Sequence, residues 1–214
     1  MIPWWKRWLS YLFEIHVESR SSEYNPHLYV SIRNGRYQLS TAHAIYSYGD
    51  LYSNFAKLFH QWDWETQPVE DVLVLGLGLG SIPVIIEETH QRICHYTAVE
   101  IDEEVVDLAW QYVLCELESP VEMITADASM AVYMLPEESY DLICVDIFDD
   151  DKVPAIFESV DFLEQTATLL RPGGVLVFNR LAANEGDKNE SLSFLKRLSQ
   201  RRSPKVSMWM WEAI

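Results

Sequence analysis

Four aspartates stand close together just after the apolar run Leu142–Val145. They are Asp146, Asp149, Asp150 and Asp151. Carboxylates this close repel one another, and burying one without a partner costs several kcal/mol. Either these charges are solvated, or a bound ligand needs them. A carboxylate at the end of a buried strand could hold a cation, or could take the proton from an amine nucleophile.

Glycines and further acids follow the other apolar segments. Gly76, Gly78 and Gly80 come after "DVLVL", Glu100 ends "HYTAVE", and Asp127 follows "VEMIT". Glycine lets the backbone approach a ligand closely, and an acid here can accept hydrogen bonds from ribose hydroxyls. Each feature has a plain alternative, a tight turn for the glycines and a helix cap for the acids. Their joint occurrence at four strand ends favours a nucleoside site.

The elements that must position these residues follow from the hydrophobic pattern. From about residue 70, apolar strands alternate with amphipathic helices, and we count six strands, beginning with "DVLVL" and ending with "KVSMWMW". Such alternation predicts a Rossmann-like α/β fold, a parallel sheet with helices on both faces whose ligands bind at the strand carboxyl ends. Before it, "HLYVSIRNGRYQLS" predicts a β-hairpin that turns at Asn34-Gly35. We predict two domains, 1–65 with a helix, this hairpin and a connecting helix, and 66–214 as the cofactor-binding domain.

Composition restricts the partners. The chain of 214 residues is 49% apolar and has a formal net charge of −17. Nucleic acids and anionic membrane surfaces are therefore poor partners, whereas cationic or neutral small molecules stay open. The three cysteines show no CxxC spacing, which suits reduced thiols in the core. The absence of any long apolar run argues against a transmembrane segment. We expect a cytoplasmic protein, and no His or Cys spacing predicts a metal site.

The amino-terminal segment carries an apolar helical face, formed by Trp4, Trp5, Trp8, Leu9, Leu12 and Phe13. We expect this helix to pack on its own domain or across a homodimer. An interfacial membrane helix and a disordered segment are the alternatives.

Two classes of nucleoside ligand compete for the glycine loop. The dinucleotide fingerprint would place a third glycine at Ser81, and a dinucleotide leaves Asp127 without a role. S-adenosylmethionine carries no phosphate and needs hydrogen bonds to its ribose and adenine. We therefore favour S-adenosylmethionine.

The order of these motifs resembles the class I methyltransferase superfamily, and more narrowly its spermidine synthase-like branch. The similarity rests on "VLVLGLGLGS", "YTAVEID", "ITADA" and "LLRPGGVLVF", on the D-x-x-D of Asp146 and Asp149, and on the G-x-x-Q of Gly35–Gln38. It implies a Rossmann-like class I methyltransferase sheet preceded by a small β-hairpin domain. It also implies S-adenosylmethionine or decarboxylated S-adenosylmethionine as the cofactor.

The resemblance further implies roles for individual residues. Asp146 would face the reacting centre and Asp149 would hold a substrate amine. From their positions in the sequence, Gln38 and Tyr48 are candidates for contacting that substrate. Tyr46 and Tyr52, beside Tyr48 between the hairpin domain and the sheet, could line the same pocket, with packing as the alternative for these tyrosines. The cofactor would be held by Gly76, Gly78 and Gly80 at its tail, Glu100 at the ribose, and Asp127 with Ala128 at the adenine.

Departures from the branch leave the reaction open. The acid that grips the cofactor amine in aminopropyltransferases is replaced by Leu79, and the paired acids after G-x-x-Q are replaced by His43 and Ala44. Leu79 favours methyl transfer to a small molecule. Asp146 and Asp149 also suit an aminopropyltransferase acting on a cationic amine. A binding or assembly protein without catalysis is the third hypothesis.

Overall fold

A computed structural model describes residues 2–42, 44–148, 152–181 and 207–213 of the chain. Its amino-terminal part is a helix followed by a four-stranded antiparallel sheet in the order β1-β2-β3-β4. The elements are α1 (Trp4–Leu9), β1 (Ile15–Arg20), β2 (Leu28–Arg33), β3 (Arg36–Ser40) and β4 (Ile45–Ser47). The predicted hairpin is β2–β3, and its turn residues Asn34 and Gly35 have φ angles of 47° and 75°. Positive φ at both positions suits this two-residue turn, which explains the Asn-Gly pair.

The sequence predicts the connecting helix over residues 50–60, with Leu51, Phe55, Leu58 and Phe59 facing inward, but the helix begins later. A 3₁₀ turn covers Gly49–Leu51, and α2 then spans Ser53–His60. Phe55, Leu58 and Phe59 are buried as expected. Leu51 is 42% exposed, because it lies in the 3₁₀ turn and not on the buried stripe of α2.

In the part of the chain that the structure describes, the second sheet has six parallel strands in the order β10-β9-β8-β5-β6-β7. They are β5 (Asp71–Leu75), β6 (His95–Glu100), β7 (Val121–Thr125), β8 (Tyr140–Val145), β9 (Leu170–Leu181) and β10 (Ser207–Ala213). The connecting helices are α3 (Ser81–Val84, continued by a π turn at Ile85–Thr89), α4 (Glu103–Tyr112), α5 (Ala128–Ala131) and α6 (Val160–Thr168). The helix predicted between β9 and β10 lies outside the described residues.

Helices cover both faces of this sheet. In β5, Val72 and Val74 pack in one apolar cluster with α2 and α3 residues, whereas Leu73 and Leu75 pack in another with α5 and α6 residues. Alternate residues of a strand point to opposite faces, so every second apolar residue serves each core. The predicted Rossmann-like class I methyltransferase architecture is confirmed.

The amino-terminal sheet is seated on the loop after β5 and on α4. Val30 and Leu39 pack against Leu79 of that loop and against Val105 and Leu108 of α4. Fully burying one such side chain contributes about 1.5–3 kcal/mol. The two sheets therefore meet at the carboxyl ends of the parallel strands. The domain boundary at residue 65 stays a proposal.

The aromatic face of α1 points into solvent. Trp4 is 82% exposed and Trp8 64% exposed, and no residue of α1 is buried. The helix is anchored through Ser10, whose hydroxyl accepts a hydrogen bond from the Gly35 amide at 2.8 Å. The expected packing of this face on its own domain is therefore wrong, and packing across a homodimer stays a prediction. No helix within the described residues is long and apolar enough to cross a membrane.

Candidate active site

Two predicted residues meet where the strand order of the parallel sheet reverses. Strand β5 pairs with β6 on one side and β8 on the other, so the ends of β5 and β8 form the switch point. Gly76 follows β5 with φ of 84°, and a Cβ atom there would overlap the carbonyl oxygen of Asp146. The Asp146 amide donates to the carbonyl of Leu75 at 2.8 Å. Only glycine allows this close approach, which holds Asp146 at the switch point.

The carboxylate of Asp146 is held by side chains from two other elements. Its Oδ1 accepts hydrogen bonds from Asn179 Nδ2 of β9 at 2.7 Å and from the Tyr52 hydroxyl at the start of α2 at 3.2 Å. Asn179 Oδ1 in turn accepts from Asn54 Nδ2 of α2 at 3.1 Å. Asn54 and Asn179 are both buried. We call these four residues the Asp146 network.

The protonation of Asp146 follows from this environment. Burial raises the pKa of Asp146 to about 7, the donors Asn179 and Tyr52 oppose that rise, and the charge of Glu100 adds to it. Burial also raises the pKa of the Tyr52 hydroxyl well above its usual value, so Tyr52 remains a hydrogen-bond donor. A carboxyl group with a pKa near neutrality can exchange a proton with an amine at physiological pH.

Glu100, at the end of β6, organises the backbone around it. Its Oε2 accepts a hydrogen bond from the Leu77 amide at 3.0 Å, and its Oε1 accepts from the Ile101 amide at 2.9 Å and the Asp102 amide at 3.2 Å. Burial raises the pKa of Glu100, and these amide donors act in the opposite direction. Glu100 therefore joins the glycine loop to the start of α4. Its role at a ribose stays a prediction.

The remainder of the glycine loop is packed against other parts of the chain. A Cβ atom on Gly78 would lie 3.0 Å from the Tyr46 carbonyl oxygen of β4, and one on Gly80 would lie 2.8 Å from Leu114 Cδ2. Leu79 is 1% exposed, within the apolar cluster between the amino-terminal sheet and α4. The position that carries an acid in aminopropyltransferases is thus part of the core.

Asp127 begins α5. Its Oδ1 accepts a hydrogen bond from the Ser129 amide at 2.8 Å, so Asp127 caps the helix, and its side chain is exposed. Ala128 is buried in the second apolar cluster. The helix-cap alternative is therefore realised, and the adenine roles of both residues stay predictions.

The predicted substrate residues are not joined to Asp146 by hydrogen bonds within the described part of the chain. Gln38 is buried opposite Ser31, on the face of β3 away from Leu39, and its Oε1 has no partner among the described residues. The Tyr48 hydroxyl accepts from Asn34 Nδ2 at 2.8 Å, and the Tyr48 amide donates to Ser81 Oγ. Of the candidate tyrosines, Tyr52 is the one that reaches Asp146. Asp149 and His43 lie outside the described residues.

Two members of the Asp146 network have no counterpart in the predicted site. Asn179 ends the apolar stretch "VLVF" of β9, just as acids end β6 and β8, so testing every strand end for any polar residue would have found it. Asn54 carries no such signal, because one polar residue in an amphipathic helix is ordinary. No group of three His, Cys, Asp or Glu side chains in the described ranges is placed to hold a metal ion.

Comparison with known proteins places this geometry in a family. Residues 48–210 match the sequence profile described as the spermine/spermidine synthase domain. A probable polyamine aminopropyl transferase of Bifidobacterium longum is 32% identical over 123 residues, which are 56% of this chain and 27% of that protein. The bovine eEF1A lysine and N-terminal methyltransferase is 30% identical over 135 residues, 58% of this chain and 19% of that protein. The matched segments therefore span less than a third of the length of either relative.

A solved structure shows the same fold. A probable spermidine synthase from Corynebacterium glutamicum superposes with a TM-score of 0.58 at 19% identity. The match covers 74% of this chain and 61% of that chain.

Proposed function

We propose, because this chain belongs to the spermine/spermidine synthase family, that it transfers an aminopropyl group from decarboxylated S-adenosylmethionine to a small amine. The observation that carries this proposal is the Asp146 network, which places a carboxylate with a pKa of about 7 at the switch point of the sheet. The similarity to an aminopropyl transferase supports the choice of donor group. The buried free thiols of Cys94 and Cys144 support a cytoplasmic location.

The reaction requires the acceptor amine to be neutral when it attacks carbon. Amines are protonated at neutral pH, so Asp146 takes the ammonium proton first, and the freed lone pair of the nitrogen then attacks carbon to form the N–C bond. Such general-base assistance contributes about 10²–10⁴-fold in rate. When bound, the sulfonium donor supplies the electrophilic carbon, and the C–S electron pair leaves on a neutral thioether.

The strand ends fit a cationic nucleoside donor. Asp146 follows β8 and Glu100 ends β6, on either side of β5 at the same edge of the sheet, and the charge of Glu100 raises the pKa of Asp146. A positive sulfonium between them would relieve that repulsion. Glu100 would hold the ribose, Asp127 with Ala128 the adenine, and Gly76, Gly78 and Gly80 the tail of the donor.

Positioning of the two reactants supplies the other part of the rate acceleration. Holding an amine in line with the donor carbon is worth about 7–11 kcal/mol. Within the Asp146 network both donors use Oδ1, and neither uses Oδ2. We assign Oδ2 to the substrate ammonium, with Gln38, Tyr48 and Asp149 as further proposed substrate contacts.

Methyl transfer from S-adenosylmethionine is the second candidate. The burial of Leu79 favours it, because an acid that would grip the amine of the decarboxylated donor is replaced by a core residue. The 30% identity to a methyltransferase points the same way. Asp146 would act on the acceptor amine in either reaction.

Product analysis separates the two candidates. The purified protein is incubated with putrescine and either donor, and the nucleoside product is identified by mass spectrometry. Aminopropyl transfer yields methylthioadenosine from the decarboxylated donor. Formation of S-adenosylhomocysteine alone would instead establish methyl transfer, and absence of both products across a panel of amines would reject the proposed function.

A further inference from the structure

When Asp146 is ionised, one hydrogen-bonding pattern satisfies the buried amides of the Asp146 network. Asn179 is 1% exposed and lies 2.7 Å from Asp146 Oδ1. An ionised carboxylate accepts only, so Asn179 must present its NH₂ group to Asp146. Its own carbonyl oxygen then faces away, into a buried position where an unpaired acceptor costs about 1–3 kcal/mol.

Asn54 supplies the missing donor. Its Nδ2 lies 3.1 Å from Asn179 Oδ1, and Asn54 is itself 7% exposed. Its carbonyl oxygen accepts from the Ser53 hydroxyl at 3.4 Å, so both ends of the Asn54 amide have a partner in this orientation. Hydrogen bonds therefore run in one direction, from Ser53 through Asn54 and Asn179 to Asp146.

We propose that Asn54 is a positioning residue, whose amide holds Asn179 in the orientation that donates to Asp146. This inference deepens the proposed function and rests on Asp146 being the base of the transfer reaction. If Asn179 rotated, its carbonyl oxygen would face the carboxylate and disfavour the charged form. Asn54 thereby keeps Asp146 competent to accept a proton near neutral pH.

The groups that titrate around Asp146 are few among the described residues. Tyr52 donates to it from α2, Glu100 faces it from β6, and Cys144 precedes it on β8. Burial raises the pKa of both Tyr52 and Cys144, so these two groups stay neutral through the range in which Asp146 titrates. Glu100 is present in every variant, so a change in the titration of Asp146 after substitution of Asn54 reports on the amide chain.

The test uses two substitutions of Asn54 and one control on the same helix. Asn54→Asp replaces the donor with an acceptor and adds a charge, whereas Asn54→Leu removes the donor without charge. Gln61→Glu makes the same amide-to-carboxylate change at the exposed end of α2. The carboxyl carbon of Asp146, assigned by comparison with Asp146→Asn, is titrated by ¹³C NMR in the full chain.

Both Asn54 variants should raise the pKa of Asp146 by about half to one unit, and Gln61→Glu should leave it unchanged. At pH 7 kcat should fall about twofold to fivefold, in proportion to the deprotonated fraction of Asp146, with KM for the donor unchanged. A shift in Asn54→Asp alone would assign the effect to the added charge and overturn the proposal, as would no shift in either variant. Thermal melts confirm that each variant folds. If Asn54→Asp does not fold, the titration of Asn54→Leu alone decides the proposal.

The titration is independent of turnover. If the wild-type protein transfers no group to any amine, the proposed function fails while the NMR result still decides whether Asn54 orients Asn179. If turnover is present and the titration is unmoved, the positioning role alone is rejected.

Discussion

The side-chain amide of Asn179 donates to Asp146 Oδ1 across 2.7 Å, joining the carboxyl ends of the neighbouring strands β9 and β8. Tyr52 reaches the same oxygen from α2. A carboxylate is thus held by two donors where burial and Glu100 both oppose its charge. The predictions below follow from that balance.

Removing the Tyr52 hydroxyl should move the pH dependence of catalysis. Its hydrogen bond favours the charged form of Asp146, so Tyr52→Phe raises the pKa of Asp146 further. Since the base must be deprotonated, the rising limb of kcat should shift to higher pH by about half a unit to one unit. Steady-state rates from pH 5.5 to 9 measure the shift. Tyr24→Phe, at an exposed tyrosine, should leave the limb in place, and an unmoved limb in Tyr52→Phe would refute the role of its hydroxyl.

Replacing Asp146 with asparagine should stabilise the fold at high pH. The folded-state pKa of Asp146 is raised to about 7, above the unfolded value, so the wild type loses stability as pH rises from about 4 to 7. Asp146→Asn lacks this penalty and should be more stable by about 1–3 kcal/mol at pH 8, with the difference vanishing towards pH 4. Denaturant unfolding at several pH values measures it. Asp161→Asn, at an exposed position, should show no such trend, and a pH-independent difference for Asp146→Asn would contradict the raised pKa.

The free-energy cost of a Cβ atom meeting Asp146 at position 76 can be measured separately from the cost of a positive φ angle. Gly76 and Gly173 have similar φ angles, 84° and 90°, but a Cβ atom at Gly173 would meet nothing within 4 Å. Gly173→Ala should therefore cost only the strain of a positive φ, about 1–2 kcal/mol. Gly76→Ala should cost at least about 2 kcal/mol more, because the Asp146 carbonyl must move. Equal losses in unfolding free energy would show that the contact with Asp146 is unimportant.

Leu79 should not tolerate the acid that aminopropyltransferases carry at this position. Its side chain is 1% exposed among apolar neighbours, so Leu79→Asp should destabilise the protein by about 3–5 kcal/mol. Leu12→Asp, at a leucine 68% exposed, is the control and should change stability by less than about 0.5 kcal/mol. Thermal and denaturant unfolding measure the stability of both variants. A stable Leu79→Asp variant that binds the decarboxylated donor more tightly would instead show that position 79 opens into the donor site.

Much of the framework was predictable because it depends on short-range patterns. Strand β5, the Asn34–Gly35 turn and the contact of Gly76 are set by apolar runs and by glycine chemistry within a few residues. The rule that ligands bind at the carboxyl ends of parallel strands also identified Asp146. The length of α2 was overestimated because Leu51 matches the helical spacing, although the chain adopts a 3₁₀ turn there.

The contacts that tune Asp146 were not predictable, since they join distant parts of the chain. Tyr52 lies 94 residues from Asp146, and Asn54 lies 125 residues from Asn179. Nothing in the local sequence indicates that α2 docks beside β9. The same limit applies to Leu79, whose burial depends on the amino-terminal sheet packing over the glycine loop.

The most direct test of the account compares Asp146→Asn with Asp161→Asn under saturating decarboxylated S-adenosylmethionine and putrescine. Single-turnover rates are measured by quench-flow, and donor binding is measured by calorimetry on the same samples. At saturating donor, Asp146→Asn should lose about 10²–10⁴-fold in the rate of methylthioadenosine formation, although the loss of one charge beside the sulfonium weakens donor binding, while Asp161→Asn keeps both. Wild-type turnover that persists in Asp146→Asn would contradict the assignment of Asp146 as the base.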